Sequence, residues 1–408
     1  MEIGPILSAM RRNKVGAILV AVQMAVTLAI LCNALFIIEQ RLALSARPSG
    51  TDEAHIFAIS NQWVGEPADP AALLLNDLAA LRALPGVVDA YGTNAYPLTN
   101  SGWGDGASVK ADQKNPTTHM ALYFADDHTL NALGLKLIAG RNFNAAEIGE
   151  RRRNEQPVPS ALIITRAMAD ALFPGGNALG QSIYISGNKT QSSPIVGIVE
   201  TLQVPWVAGS GWANGWIDNS ALEPMRYVAQ GSYYIVRTQP GQLPAVMRES
   251  QHKLFELYGA RVLDKVQPLT EARAEVYRDD RGLALILAVV CTILLAVTAF
   301  GIVGLTSYWV AQRRRQIGIR RALGATRGAI VRYFQTENLM IAAAGATVGL
   351  ALAIAGNLWM VNSFEMQRLH SSYVIVGAIA VLLLGQLAVL WPALRAASIP
   401  PALATRSV

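Results

Sequence analysis

Four long uncharged stretches govern what this chain can become. Val15 to Ile38 carries only Gln23 and Asn33 as strongly polar interruptions, and its length of about 24 residues lets a helix cross a hydrocarbon core of roughly 30 Å. Gly282 to Val310 is a second such run, longer than a crossing needs and so able to tilt or project. The third extends from about Leu339 to Val361 and the fourth from Val374 to Trp391. Lipid offers no partner to an exposed peptide group, so each run must close its own hydrogen bonds as a helix. Only 15% of the residues are charged and the mean hydropathy is +0.30, whereas a soluble domain carries about a quarter charged residues.

The flanks set an orientation. Arg11, Arg12 and Lys14 precede the first run; Arg313, Arg314, Arg315, Arg320, Arg321, Arg327 and Arg332 lie between the second and third; Arg395 and Arg406 follow the fourth. In a four-span chain these regions share one side, which places both termini in the cytoplasm. The net charge of +6 is thereby a topology signal rather than a nucleic-acid footprint, because no basic stripe interleaved with aromatics lies on a folded segment. Ala43-Leu44-Ser45 resembles a signal-peptidase site, yet the preceding apolar run is too long for a signal peptide, so the first span is expected to stay. Residues 1–14 read as a cytoplasmic amphipathic segment, with a surface helix and a frayed terminus both open for Met1 to Met10.

Residues 39–281 form the insert between the first two spans and are large enough for an independent domain. Strands are expected at His55 to Ser60, Val87 to Tyr91, Ala161 to Thr165, Gln181 to Ser186, Ile195 to Glu200 and Ser232 to Thr238. Helices are expected from Asp69-Pro70, an N-cap followed by proline, to about Ala83, from Arg166 to Phe173 and from Leu243 to Tyr258. Leu269 onward runs helically into the second span. The fold class is therefore a four-helix membrane bundle, N-in and C-in, with a large mixed α/β extracytoplasmic domain between its first two spans.

Little in this insert points to chemistry. Gly175 to Ser182 imitates a phosphate loop, but Gln181 replaces the lysine that would meet the β/γ-phosphates, and a helix precedes the loop where a strand belongs. It reads as a turn. Val204 to Asn219 is rich in glycine and carries Trp206, Trp212 and Trp216; it reads either as a contact loop for a lipid, peptide or partner protein, or as a loop pinned by its own tryptophans. His55, His119, His128, His252 and His370 show no metal-ligand spacing, and Cys32 and Cys291 both fall inside apolar runs. No catalytic residue and no metal site is expected.

The most specific stretch is Gln312-Arg313-Arg314-Arg315-Gln316-Ile317-Gly318-Ile319-Arg320-Arg321-Ala322-Leu323-Gly324-Ala325. Apolar residues threaded through the arginines suit a short amphipathic helix at the membrane face or against a partner. The stretch resembles the signature of the MacB/FtsX-type ABC permeases, the type VII exporters, whose pattern is E-R-x-x-E-I-G-x-R-x-A-x-G-A. The likeness continues through Ile330, Phe334, Glu337 and the closing Pro392-Ala393-Leu394-Arg395-Ala396-Ala397 with Pro401, Ala402 and Leu403. In the insert, Leu133-Gly134-Leu135 with Ala139 to Phe143, Leu172-Phe173, Leu179 to Gln181 and Ile195 to Val199 look like motifs of the same family. Gln312 and Gln316 stand where that family usually has acidic residues, and Gln181 where lysine or arginine is common.

The resemblance implies a permease subunit without its own enzymatic activity. It would transmit ATP hydrolysis by a separate ABC ATPase, which holds ATP and Mg, to a periplasmic conformational change for export or extraction of a substrate. The alternative is a non-transporting, FtsX-like signalling subunit that controls a periplasmic hydrolase or sensor. The family implies a second permease (homodimer or paralogous heterodimer), contact with membrane lipid, placement in the bacterial inner membrane, and a periplasmic adaptor with an outer-membrane channel as further partners. The resulting plan is 1–14 cytoplasmic segment, 15–38 first span, 39–281 periplasmic core domain, 282–311 second span, 312–338 coupling segment with the residues quoted above contacting the ATPase, 339–361 third span, 362–373 periplasmic loop, 374–391 fourth span and 392–408 cytoplasmic tail. Gly345 and Gly349 supply a G-x-x-x-G face for close packing in the third span. Around Tyr277 to Leu285 no proline occurs and Gly282 is not expected to break the chain's course, which predicts an unbroken helix that passes motion rigidly.

Overall fold

The computed structural model describes residues 14–152, 155, 157–185, 191–206, 215–364 and 368–398. In chain order its elements begin with helix α1 (Lys14–Ala46), strand β1 (Ile56–Trp63), α2 (Pro70–Arg82), β2 (Val87–Thr93), β3 (Trp103–Ser108), β4 (Thr118–Ala125), α3 (Thr129–Leu133) and β5 (Leu137–Gly140). Then follow β6 (Gly149–Arg152), β7 (Leu162–Thr165), α4 (Arg166–Leu172), β8 (Ser182–Ile185), β9 (Ser193–Val199), β10 (Ser220–Val228) and β11 (Gly231–Thr238). Next come α5 (Leu243–Leu257), β12 (Arg261–Pro268), α6 (Leu269–Val276), α7 (Arg278–Gln312), α8 (Arg314–Ala322), α9 (Arg327–Phe364) and α10 (Ser371–Ala397). They fall into two compact units, a helical one within Met1–Ser45 and Asp279–Val408 and an α/β one at Ala46–Arg278.

In the helical unit, α1, α7, α9 and α10 are long and apolar enough to cross a membrane. They overrun the uncharged stretches. The first helix continues through Glu39 and Arg41, so the Ala43-Leu44-Ser45 triplet is helical. α9 starts at Arg327, well before Leu339, which reduces the separate coupling segment to α8 and a turn. The last helix passes through Pro392 to Ala397, although proline removes one backbone donor there. Met1 to Met10, Pro401, Ala402, Leu403 and Arg406 lie outside the described residues.

Packing in this unit uses small side chains and hydroxyls, as expected where lipid competes for apolar contact. The hydroxyls of Thr27 and Thr298 meet at 2.7 Å, and Gln23 Nε2 donates to the Val297 carbonyl at 3.0 Å, which ties α1 to α7. A Cβ on Gly345 would stand 2.6 Å from the Ala21 oxygen, and one on Gly349 2.7 Å from the Ala25 oxygen. The two glycines thus turn toward α1 of the same chain. Val20, Met24, Leu28, Ile302, Ile341, Val381 and Val389 fill the space between the helices.

The α/β unit has two sheets. One is antiparallel, in the order β12-β1-β11-β2, and Leu74, Leu78 and Leu81 of α2 share its apolar core with Val246 and Leu254 of α5. Asp69 caps α2 by accepting from the Ala72 amide at 2.9 Å, and Pro70 follows it. Within this core Arg261 of β12 donates bidentately to Asp77 of α2 at 2.8 and 2.9 Å, and the Tyr234 hydroxyl donates to the same carboxylate at 2.8 Å. Both members of the pair are fully buried.

The other sheet is mixed and has eight strands, with the path β4-β3-β8-β9-β7-β10-β6 and β5 paired to β9. A further parallel pairing of β4 with β10 closes β4, β3, β8, β9, β7 and β10 into a ring. β10 pairs with β4 as far as Pro224 and with β6 from Met225 onward. Proline, which has no amide hydrogen, therefore sits where the strand changes partner.

Two expectations need correction. α6 stops at Val276, Tyr277 leaves the helical conformation (φ −94°, ψ 13°), and α7 starts at Arg278, so the expected unbroken helix is interrupted. The cause is an aromatic side chain rather than proline or glycine: Tyr277 is fully buried, and its hydroxyl accepts from Gln203 Nε2 at 3.3 Å. The strands β3, β4, β5, β6, β10 and β12 and the helix α3 lie outside the expected set.

Removing one member of a buried ion pair leaves the other charge uncompensated. Asp77→Ala should cost the α/β unit about 3–5 kcal/mol, read as a lower unfolding midpoint in urea followed by tryptophan fluorescence.

Candidate coupling site

The arginine-rich stretch folds as helix, turn and helix for reasons visible residue by residue. Arg313 leaves the helical conformation (φ −95°, ψ 11°) and so separates α7 from α8. At the other end Gly324 takes φ +94°, a conformation glycine adopts without steric cost. Its amide donates to the Arg321 carbonyl at 3.1 Å and the Ala325 amide donates to the Arg320 carbonyl at 3.0 Å, the Schellman pattern of helix termination. Thr326 then caps α9, its hydroxyl accepting from the Ala329 amide at 3.2 Å. Arg320 and Arg321 occupy the last turn of α8, where positive charge complements the helix dipole.

One face of α8 is held. Ile317 and Gly318 are buried, and Ile317 joins Ile330 and Phe334 of α9 in the core. The guanidinium of Arg320 lies 5.0 Å from the Tyr333 ring centroid. Arg313 Nη1 donates to both oxygens of Glu337, at 3.0 and 2.8 Å, with only 4% of the glutamate side chain exposed. A cleft of about 100 Å³ remains between the helices, lined by Arg313, Gln316, Ile317, Arg320, Tyr333 and Phe334.

The opposite face is bare. Arg314, Arg315, Ile319, Ala322, Leu323 and Gly324 are exposed, with Leu323 82% accessible, while Gln316 and Arg320 are exposed at the edge of the cleft. Ala325 and Arg321 are half-buried, and Gln312 Nε2 donates to the Tyr308 hydroxyl at 2.9 Å. A leucine and an isoleucine are thus displayed among the arginines of this face. Arg313 differs from the rest of the stretch: it faces Glu337 and positions α8 rather than presenting itself to a partner. Sequence reasoning counted Glu337 only as part of a motif. The signal that singles it out is a carboxylate placed immediately before the uncharged run of α9, which requires a nearby cation.

The remaining candidates lie elsewhere. Gly345 and Gly349 pack against α1. In the glycine-rich loop the rings of Trp206 and Trp216 meet edge to face at 5.7 Å, and Trp216 is buried; Trp212 lies outside the described residues. Among the described residues no cluster of His, Cys, Asp and Glu has the geometry of a metal site.

A family model described as MacB-like periplasmic core domain matches residues 18–252, and another described as FtsX-like permease C-terminal matches residues 288–401. The chain belongs to the MacB/FtsX family of ABC transporter permeases. Its relatives include the ABC transporter permease YknZ of Bacillus subtilis, 22% identical over 90% of this chain and 88% of the relative. They also include the macrolide export ATP-binding/permease protein MacB of Chromobacterium violaceum, 23% identical over 75% of this chain. The match spans only 44% of that MacB. The solved extracellular domain of YknZ from Gram-positive bacteria is 16% identical and aligns over 52% of this chain and 99% of its own length, with a TM-score of 0.32. With four helices able to cross a membrane and a MacB-like periplasmic core domain, this permease is a membrane protein with a periplasmic region. The arginine stretch, Gly345 and Gly349 fall within the FtsX-like match; Trp206 and Trp216 fall within the MacB-like one.

The α/β unit also holds a charged cavity of about 370 Å³ lined by Trp103, Asp105, Arg151 and Glu223. Arg151 donates to Glu223 at 3.1 Å and stacks between Trp103 and Phe124. Burial pushes the Glu223 carboxyl up to about 7 despite the arginine, and the charge of Asp105 adds to the shift. An acid whose folded pKa is raised contributes stability below its unfolded pKa and loses it as pH rises through the folded value.

Two outcomes follow. Glu337→Ala should strand Arg313 in an apolar setting and loosen α8, exposing the 314–322 backbone to faster amide hydrogen exchange while α1 is unaffected. For Glu223, the wild type should lose thermal stability relative to Glu223→Gln as pH rises from about 4.5 to about 7.

Proposed function

We propose that this permease works with a separate ATP-binding subunit docked on the exposed face of α8. That subunit holds ATP and Mg, and its closure drives a periplasmic conformational change. The observation that carries this reading is the division of α8 into a face locked to α9 by Arg313–Glu337 and a bare face of Arg315, Ile319 and Leu323. A helix gripped on one side transmits force applied to the other. The arginine-rich α7–α9 connection supports a cytoplasmic position for α8, with both termini on the same side and the Ala46–Arg278 unit in the periplasm. The membrane is then the bacterial inner membrane.

On this reading two permeases, identical or paralogous, share the ATPase pair, and the periplasmic units act on a substrate taken from the periplasm or the outer leaflet. A periplasmic adaptor with an outer-membrane channel completes the export path. The relatives' names point the same way: YknZ is called a permease, and MacB an ATP-binding/permease protein of which this chain spans less than half. Gln312 and Gln316 replace the acidic residues common in the family, so recognition falls to the arginines and to Ile319 and Leu323.

The test is co-purification with candidate ATP-binding subunits, followed by ATPase assays. Truncating two contact residues at an interface core commonly costs more than 1 kcal/mol each, so Ile319→Ala with Leu323→Ala should lower permease-stimulated hydrolysis at least about tenfold. Unchanged binding and stimulation would remove α8 from the interface.

A further inference from the structure

A groove of about 400 Å³ lies away from the α8–α9 cleft, lined by Ser307, Val310 and Ala311 of α7, Arg314 of α8, and Pro392, Arg395 and Ser398 at the end of α10. Its chemistry is lopsided. Two guanidinium groups line it and no carboxylate does. Arg313, the nearest arginine in sequence, is committed to Glu337. Arg314 has no ion-pair or hydrogen-bond partner among the described residues, and the side-chain contact recorded for Arg395 is with the ring of Trp391, 5.6 Å from its centroid. Two unneutralised cations beside hydroxyls define a receptor for an oxyanion.

The surroundings identify the kind of oxyanion. Trp391 and Tyr308 are both more than half exposed at this end of the bundle, as aromatic side chains are at the headgroup level of a bilayer. Beyond them α10 exposes Leu383 and Leu387, and α7 exposes Phe300. A ligand seated here meets positive charge at one end and apolar helix surface at the other. Basic pockets between helices on the cytoplasmic side bind anionic lipid headgroups by this combination.

We propose that the groove between the ends of α7 and α10 binds the phosphate of an anionic phospholipid, held by Arg314 and Arg395, with the acyl chains along the exposed faces of those helices. Arg314 is the first residue of α8, so the lipid joins α10 to the start of the coupling helix. The site rests on the membrane-embedded part of the functional reading and is independent of the ATPase.

Native mass spectrometry of the full chain in detergent, titrated with phosphatidylglycerol or phosphatidylcholine, tests it without any ATPase present. The wild type should bind phosphatidylglycerol preferentially. A basic residue near a membrane surface contributes about 1 kcal/mol toward anionic lipid, so Arg314→Gln and Arg395→Gln should each weaken that binding about fivefold and together about thirtyfold. Phosphatidylcholine binding should not change. If the double variant fails to fold, the two single variants carry the test. Glycerol phosphate should not compete at concentrations matched to the lipid; full competition would mean a soluble-phosphate site and overturn the lipid assignment. A double variant that keeps its phosphatidylglycerol preference overturns the site, and one that keeps it while losing self-association identifies the groove as a protein interface.

Discussion

The contact between Arg313 and Glu337 determines whether α8 exists as a presented surface. Glu337 sits at the end of an apolar packing layer with 4% of its side chain exposed, where an unpaired carboxylate would carry a large desolvation cost. Arg313 meets it with both oxygens in reach, and reaching it requires the backbone to leave the α7 helix at Arg313. The break and the ion pair are thus one event. Ile317 and Arg320 then fall onto Ile330, Phe334 and Tyr333, and Ile319 and Leu323 are left facing outward.

The α/β unit solves a different problem, that of burying polar backbone without loose strand edges. Pairing of β4 with β10 joins both ends of a strand path, so those six strands have a neighbour on each side. The buried charges of this unit, Asp77 with Arg261 and Glu223 with Arg151, hold helix to strand and strand to strand where apolar contact alone specifies position poorly.

Much of this was legible in the residues, and the gaps have physical causes. Long uncharged runs announce helices, but their ends are set by packing, which is why α1 passes Glu39 and α9 starts at Arg327. Asp69-Pro70 marks a helix start through a local hydrogen bond and is readable, whereas the matching cap at Thr165 hides behind its strand assignment. β10 was not, because Pro224 argues against a strand until one sees that it stands at a change of partner. Gly104 and Gly106 hide β3 in the same way, and the charges of β12 conceal an edge strand paired to β1 and largely open to solvent. In the arginine stretch, residue types indicated a coupling helix. Their placement in space alone separates Arg313, which is turned inward onto Glu337, from Arg314, which is exposed.

The approach of α9 to α1 at Gly345 and Gly349 has a mechanical meaning. Backbone oxygens of Ala21 and Ala25 occupy the space where side chains would begin. Main-chain atoms, which have no rotamers to exchange, therefore set the spacing of this helix pair, and any larger residue at either glycine would pry the two helices apart.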